Sequence, residues 1–359
     1  MALLGCMEAL AIMKIQQRNI GDISELPEEW PACIRRIMAA RGIVKADELT
    51  FDLAGLPKPS EMLGMEAAVT LLIKALQQQW RVMIVADFDS DGATSCAVMM
   101  RGLRMMGLQH IEFIVPNRFV HGYGLTTELL NEIDSETQPD LLITVDNGIA
   151  SLDGVALAKQ RGMQVLITDH HLAAEQLPQA DAIVNPNQPG DNFPCKMLAG
   201  VGVAFYVLVG LRQGLRDINW FELQQLAEPR LVELLDLVAL GTVADVVPLD
   251  RLNRTLVDLG LKRMRQGRAC AGISALLQIA GKDINRLSAQ DLGFAIAPRL
   301  NAAGRMEDMG LGIDTLLTDN FAMAQQAAQL LDQINIERRS VEQGMQLEAL
   351  AMLEKLQLN

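Results

Sequence analysis

Four short segments of this 359-residue chain carry side chains that can do chemistry: Asp87-Phe88-Asp89-Ser90-Asp91-Gly92, Asp146-Asn147-Gly148, Asp169-His170-His171, and Asp245 within Gly241-Thr242-Val243-Ala244-Asp245-Val246-Val247-Pro248. Carboxylates gathered in one place repel one another unless a cation holds them, and imidazoles are natural companions of a metal. Oxygen ligands mixed with nitrogen favour Mn2+ or Mg2+ over structural zinc. A dinuclear site of this kind hydrolyses phosphate esters, one ion activating water and the other polarising the phosphate. Alternation along an extended segment sends Asp87, Asp89 and Asp91 to one side, into a tight turn that Gly92 permits. Half of the chain's four histidines are adjacent at His170-His171. One can ligate metal, the other can face the phosphate or act as an acid, and Asp169 can orient an imidazole from behind.

Each segment also has a plainer reading. The acidic turn could merely cap a helix opening near Thr94-Ser95. Asp-Asn-Gly is a common turn, and a single Asp after a helix is often a cap. Position decides between the readings. The first three segments follow Val82-Met83-Ile84-Val85-Ala86, Leu141-Leu142-Ile143-Thr144-Val145 and Val165-Leu166-Ile167-Thr168. These short apolar runs read as buried parallel strands. Helical patterns separate them, so βαβ units repeat and the acids sit at the strands' carboxyl ends, where open α/β sheets bind ligands.

The expected fold class is therefore α/β, a parallel sheet with flanking helices. A mostly helical region and a long C-terminal helix follow. Residues 1–80 read as an entry segment, with a good helix over Gly64 to Gln79. Residues 81–245 form the catalytic domain, with added strands at Ile111 to Val115 and near Ala182 to Val184. Residues 246–318 complete the lobe, and 319–359 form the long helix. Leu231 to Leu240 is an apolar helix that delivers Asp245. Ala297-Pro298-Arg299-Leu300-Asn301-Ala302-Ala303-Gly304-Arg305 is expected to interrupt the helices.

Half the residues are hydrophobic, and the net charge is −13. That total argues against nucleic acid only if the acids are spread evenly. If they cluster on metals, local bases matter more: Arg118, Arg299, Arg305, Lys196 and the run from Lys262 to Arg268, the last most often a solvated helix face. The longest uncharged stretch, Met197 to Leu211, has 15 residues with three Gly. That is short of the roughly 18 expected of a membrane span. The five cysteines are odd in number and never spaced as C-x-x-C, which fits a reducing, cytoplasmic setting. Leu4-Gly5-Cys6 resembles a lipoprotein cleavage site without the leader; a short non-functional stretch before Met13 is the simpler expectation.

Taken in order and separation, D-x-D-x-D-G, V-D-N-G, T-D-H-H and G-T-V-A-D-V-V-P-L resemble the four motifs of the DHH phosphoesterase superfamily. Val115-Pro116-Asn117-Arg118-Phe119 with Gly122-Tyr123-Gly124, Leu198-Ala199-Gly200-Val201-Gly202-Val203-Ala204, and Pro298 to Arg305 are similar to its RecJ family of single-strand-specific 5′→3′ DNA exonucleases. The resemblance covers about residue 20 to the C-terminus. It implies Asp89, Asp91, Asp146, His170 and Asp245 as ligands of two Mn2+ or Mg2+ ions, with Asp87 a ligand or a support. It places His171 against the phosphate, Arg118 and Tyr123 on the backbone and a stacked base, and Arg299, Asn301 and Arg305 on phosphates near the 5′ end. From the residues alone, Tyr123 is either a stacking platform or a tyrosine packed on its own loop.

The implied substrate is single-stranded DNA, in repair and recombination. Implied partners are single-strand-binding protein and a RecQ-type helicase, with no membrane and a monomeric state. The family continues into a second DHH-associated domain with a Gly-Gly-His motif, then usually an OB-fold. This chain stops within the connecting helix, so it is expected to be a catalytic core. Small-substrate phosphoesterases of the superfamily, acting on pyrophosphate, short oligonucleotides or cyclic dinucleotides, share the metal motifs. An inactive truncated form or a non-catalytic scaffold is the remaining alternative.

Overall fold

The computed structural model describes residues 16, 18–134 and 136–357. The Leu4-Gly5-Cys6 segment and Met13 lie outside the described residues. The chain divides into Met1–Phe51 and Asp52–Asn359. In the first unit, α1 (Ala32–Ala39) opens behind Pro31, and Leu26, Ala39 and Ile43 form a small core with Trp30 and Leu49.

The second unit begins earlier than the expected boundary at residue 80. Its first helix, α2 (Met65–Gln78), buries Met65, Ala68, Leu72, Ala75 and Leu76 in the same core as the sheet. Five strands follow: β1 (Val82–Ala86), β2 (Ile111–Ile114), β3 (Leu141–Val145), β4 (Gln164–Thr168) and β5 (Ala182–Val184). All neighbours are parallel, in the order β2-β1-β3-β4-β5. Between them lie α3 (Ser90–Met105), α4 (Thr127–Glu132) and α5 (Leu152–Gln160). Alternate strand residues enter opposite layers, as the two-residue period of a strand requires. Ile84, Ile143 and Leu166 face the larger core. Val85, Leu142, Val165 and Ile167 face a smaller one with Leu129, Leu130 and Val155. Both faces are covered, which is why these strands carry no polar alternation.

Helices complete the unit: α6 (Gly200–Asp217), α7 (Trp220–Leu223), α8 (Leu235–Ala244), α9 (Arg251–Arg265), α10 (Ala271–Ile279), α11 (Ala289–Asp291), α12 (Ala297–Met306), α13 (Gly310–Leu317) and α14 (Phe321–Gln357). The 15-residue apolar stretch becomes the start of α6, buried from Gly200 to Leu208. α8 is buried from Leu235 to Thr242, so it is apolar all round. Among the described residues, no helix is long and apolar enough to cross a membrane.

The segment from Ala297 to Arg305 departs from expectation: it is helical, not an interruption. Pro298 lies at the head of α12, where the preceding π-helical turn already breaks the regular i→i−4 ladder and a residue without an N–H is tolerated. Gly304 is there for packing. A Cβ on it would lie 1.8 Å from the Phe88 carbonyl oxygen, so α12 presses directly on the first acidic segment. A π-helical turn, Leu292–Ile296, precedes it.

Candidate metal centre

The strand register places the acids. Ala86 pairs with Val145, and Val145 with Thr168, so Asp87, Asp146 and Asp169 are the next residues at one level edge. Asp87 and Asp146 flank the β1/β3 crevice, where the strand order reverses and ligands of such sheets bind.

The first segment does not stay extended. Its helix starts at Ser90, before Thr94, and Asp89 caps it, accepting the N–H groups of Asp91 and Gly92 at 2.9 and 3.0 Å. Asp91, already helical, turns to the opposite wall and accepts the N–H groups of Gly200 (2.7 Å) and Val201 (3.0 Å) at the start of α6. The three carboxylates thus serve two places. Asp87 and Asp89 lie together with Asp146, while Asp91 lies with His170 and Asp245; Asp146, His170 and His171 form a third, overlapping group.

Asp146 takes a left-handed backbone, φ +63°, unusual outside glycine. Asn147 holds the turn, its amide donating to the Val85 and Val145 carbonyls at 3.0 and 2.9 Å. Gly200 lets α6 close on it, since a Cβ there would stand 2.4 Å from Asp146 Oδ1. Asp169 is buried and fully engaged. Its Oδ1 accepts the N–H of His170 (2.7 Å) and of His171 (3.1 Å) and faces His171 Nδ1 at 2.7 Å, while Oδ2 accepts the Ile149 N–H at 2.9 Å. It therefore shapes the turn and orients His171, leaving His170 to face the acids.

Asn185 and Asn187, just after β5, escaped the sequence reading. They donate to the carbonyls of His171 (2.9 Å) and His170 (2.5 Å). An Asn-Pro-Asn run at a strand end was the available signal.

His170 Nε2 lies 3.2 Å from Asp146 Oδ1 and 3.5 Å from Asp245 Oδ2. All three atoms are buried without a hydrogen-bond partner. These short distances are not ion pairs, because burial and the nearby His171 charge lower His170 to about 4, leaving it neutral near pH 7. Burial, then Asp89, pushes Asp87 up to about 7 and Asp245 to about 6. Burial and neighbouring carboxylates raise Asp91 and Asp146 well above the usual range. His171 behaves oppositely, raised to about 9 by its bond to Asp169 against the pull of burial. Burial alone would raise Asp169, but the His171 ring and the N–H groups of Ile149 and His171 outweigh it and hold its carboxyl low. Converging acceptors with no donor between them are the environment that a divalent cation stabilises.

The expected DNA-contacting residues separate into two sets. Arg118 is exposed, its guanidinium 4.2 Å over the Phe88 ring. Tyr123 stands edge-on to Phe88 and His171 at 5.9 and 6.0 Å, and its hydroxyl donates to the Asp146 carbonyl at 3.3 Å. Arg305 is exposed on the last turn of α12. Two others differ from expectation. Arg299 is mostly buried against Asp332 at 2.7 Å and the Ala295 carbonyl, so its guanidinium is not free for phosphate. Asn301 Oδ1 accepts both the Ser90 N–H and its hydroxyl at 2.7 Å, so it positions the first acidic segment. Lys196 is tied to Asp191 and the Pro186 carbonyl. In the basic run, Lys262 pairs with Asp258 and Arg265 donates to the Leu287 carbonyl, the plainer reading. A cavity of about 930 Å3 beside α2 and α6 contains none of these residues.

The profile of the DHH family, N-terminal domain, matches residues 81–242. The chain is 48% identical over 345 residues to the single-stranded-DNA-specific exonuclease RecJ of Escherichia coli, covering 96% of this chain and 60% of that protein. It is 40% identical to the Bacillus subtilis protein of the same name, over 95% of this chain and 42% of the relative. The chain thus spans about 60% of the length of the E. coli relative. A crystal structure of exonuclease RecJ bound to manganese superposes with a TM-score of 0.72 at 34% identity, over 84% of this chain and 72% of that one. RecJ from Thermus thermophilus in complex with Mn2+ gives 0.69 at 32% identity, covering 86% and 42%. By sequence and by fold alike, the chain belongs to the RecJ family.

Proposed function

We propose that this chain hydrolyses single-stranded DNA from its 5′ end, using two divalent cations held at the β1/β3 edge. The observation that carries the proposal is the convergence of Asp146 Oδ1, His170 Nε2 and Asp245 Oδ2, buried and unpartnered, with Asp87 and Asp89 grouped on one side and Asp91 on the other. Asp87, Asp89 and Asp146 would hold one ion, and Asp91, His170 and Asp245 the other. Mn2+ or Mg2+ bound there would supply Lewis acidity for water and phosphate and charge for the leaving oxygen. The manganese-bound relatives support the choice of ion, as does a Mg2+ complex of the Thermus thermophilus protein, 30% identical with a TM-score of 0.62 over 86% of this chain and 39% of that one.

The remaining roles belong to the protein. Asp169 fixes His171 Nδ1, which leaves Nε2 at the half-exposed end of the ring. There a proton is held at neutral pH, available to a phosphate oxygen or to the departing 3′-oxygen. Asn147, Gly148 and Gly200 hold Asp146 in its strained turn. Arg118 and Arg305 would meet backbone phosphates, and Tyr123 a base. Single-strand-binding protein and a RecQ-type helicase are proposed partners on the strength of the family alone.

Degradation of 5′- and 3′-labelled single strands, beside matching duplex, with Mn2+, Mg2+ or EDTA tests the reading. Metal-dependent release from the 5′ end of single strands alone is expected. Tight Mn2+ binding with hydrolysis only of pyrophosphate or dinucleotides would overturn it.

A further inference from the structure

The loop between β2 and α4 presents Arg118 and Tyr123, and apart from the Tyr123 hydroxyl on the Asp146 carbonyl the side chains of residues 117–123 hardly reach the interior. Residues 117–120, 122 and 123 are exposed, Phe119 at 79% and Val120 at 66%. Within 117–123 only His121 is buried. Its two ring nitrogens are both used. Nδ1 accepts the Asn117 N–H at 3.0 Å, while Nε2 faces Glu132 Oε1, on the last residue of α4, at 2.7 Å. A backbone N–H can only donate, so Nδ1 carries no proton and Nε2–H donates to the carboxylate. The Asn117 carbonyl closes the turn from the other side, accepting the N–H groups of Val120 and His121 at 3.1 and 2.8 Å. Asn117 Oδ1 accepts the Phe119 N–H at 2.9 Å.

The imidazole is thus a cross-brace between the loop and a helix that packs on the sheet through Leu129 and Leu130. The brace lines a cleft of about 480 Å3 whose other walls include Phe88, Arg118, Gly304, Glu307 and Asp308. It reaches no residue of the three acid and imidazole groups. A loop without a core of its own is held by such bonds or not at all, and an unbraced loop must be ordered by the ligand at an entropic cost.

We propose that His121 and Glu132 are positioning residues for strand binding: their hydrogen bond holds the 115–124 loop so that Arg118 and Tyr123 are in place before DNA arrives. The proposal rests on the nuclease reading above, and its test separates the two.

Binding of a dye-labelled oligothymidylate in EDTA, read by anisotropy, would be measured beside hydrolysis of a small chromogenic phosphodiester with Mn2+. His121→Ala and Glu132→Ala are each expected to weaken oligonucleotide binding roughly ten-fold, about 1.4 kcal/mol, and to raise KM without lowering kcat. Mn2+ affinity and hydrolysis of the small diester should not change. Glu132→Gln keeps an acceptor for Nε2–H and should restore binding. Unchanged binding in both alanine variants would overturn the proposal, as would parallel losses of small-diester hydrolysis, the mark of general damage. Should His121→Ala fail to fold, the half-exposed Glu132 still decides through its Ala and Gln variants. If the unaltered protein hydrolyses the diester but binds no oligonucleotide, the single-strand reading falls and the brace with it.

Discussion

The sheet edge and α12 both bring polar side chains to the same crevice, and the fold treats them oppositely. At the edge, Asp146, His170 and Asp245 each keep a buried atom without a partner, and their carboxylates are pushed toward protonation. On α12, Asn301 satisfies Ser90 and Arg299 pairs with Asp332, only the Arg299 Nε being left buried without a partner. Buried polar groups are normally paired because leaving one unpaired costs about 1–3 kcal/mol. Where a fold leaves several unpaired and facing one another, it is organised around something outside the chain. Where it pairs them, the same residue types are structural.

The largest effect that could break this contrast is at Asp146. Asp146→Asn should reduce metal-dependent hydrolysis by on the order of 10³-fold, the scale of losing one preorganised electrostatic contact. Mn2+ affinity by calorimetry should fall with it, while the metal-free protein melts at a higher temperature because a repelling charge is gone. A variant that is less stable without metal, or as active as the parent with it, would show that the edge is an ordinary polar core.

Next come the two arginines of α12. Arg299→Ala leaves Asp332 without its partner and should cost about 1–3 kcal/mol of stability, with KM for single-stranded DNA unchanged. Arg305→Ala is exposed and should leave the melting temperature alone while raising KM for 5′-phosphorylated DNA several-fold. The reverse assignment would place Arg299 at the phosphate.

These contrasts also mark what could be read in advance. Strands, their parallel direction and the acids that follow them were legible, because short β-branched apolar runs separated by helical patterns are local signals. The joint appearance of Asp, Asn-Gly and His-His at consecutive strand ends made the edge legible as well. What stayed hidden was pairing. No local pattern says that Asp332, on α14, will meet Arg299, or that Asn185 and Asn187 will clamp the Asp169-His170-His171 backbone. Composition misled at α12, where Pro and Gly suggested a break; Pro298 stands where a π-helical turn interrupts the regular ladder, and Gly304 answered a contact with Phe88 rather than a turn.

A smaller and sharper test uses pH. In the metal-free protein Asp87 stands near 7 instead of 3.8, so the folded state binds its proton more tightly than the unfolded chain. The Asp87 contribution to stability is then fully present below about pH 4 and is lost as pH rises through 7, the sign opposite to that of an ion-paired carboxylate. Between pH 5.5 and 8 the loss of this contribution should lower the urea midpoint by the equivalent of about 2 kcal/mol, and the raised Asp245 and His171 act in the same direction. Saturating Mn2+ should abolish or invert the decline, since bound cations favour the ionised form. A flat profile without metal would mean that the edge acids are better solvated than their burial implies.

The smallest expected effect lies beside Asp245. Val246 has φ +62° and is 84% exposed, a β-branched residue in the left-handed region with little packing to hold it there. That conformation costs roughly 1–2 kcal/mol for a non-glycine residue. Glycine adopts it freely but loses about 0.5–1 kcal/mol more conformational entropy on folding. Val246→Gly should therefore raise stability slightly, by about 0.5 kcal/mol, since little packing is lost. If the strain serves to aim Asp245 at the cation, the same variant should bind Mn2+ less tightly. A rise in melting temperature with unchanged Mn2+ affinity would assign the strain to chain geometry alone, whereas a fall in both would show that Val246 packs against something its exposure hides.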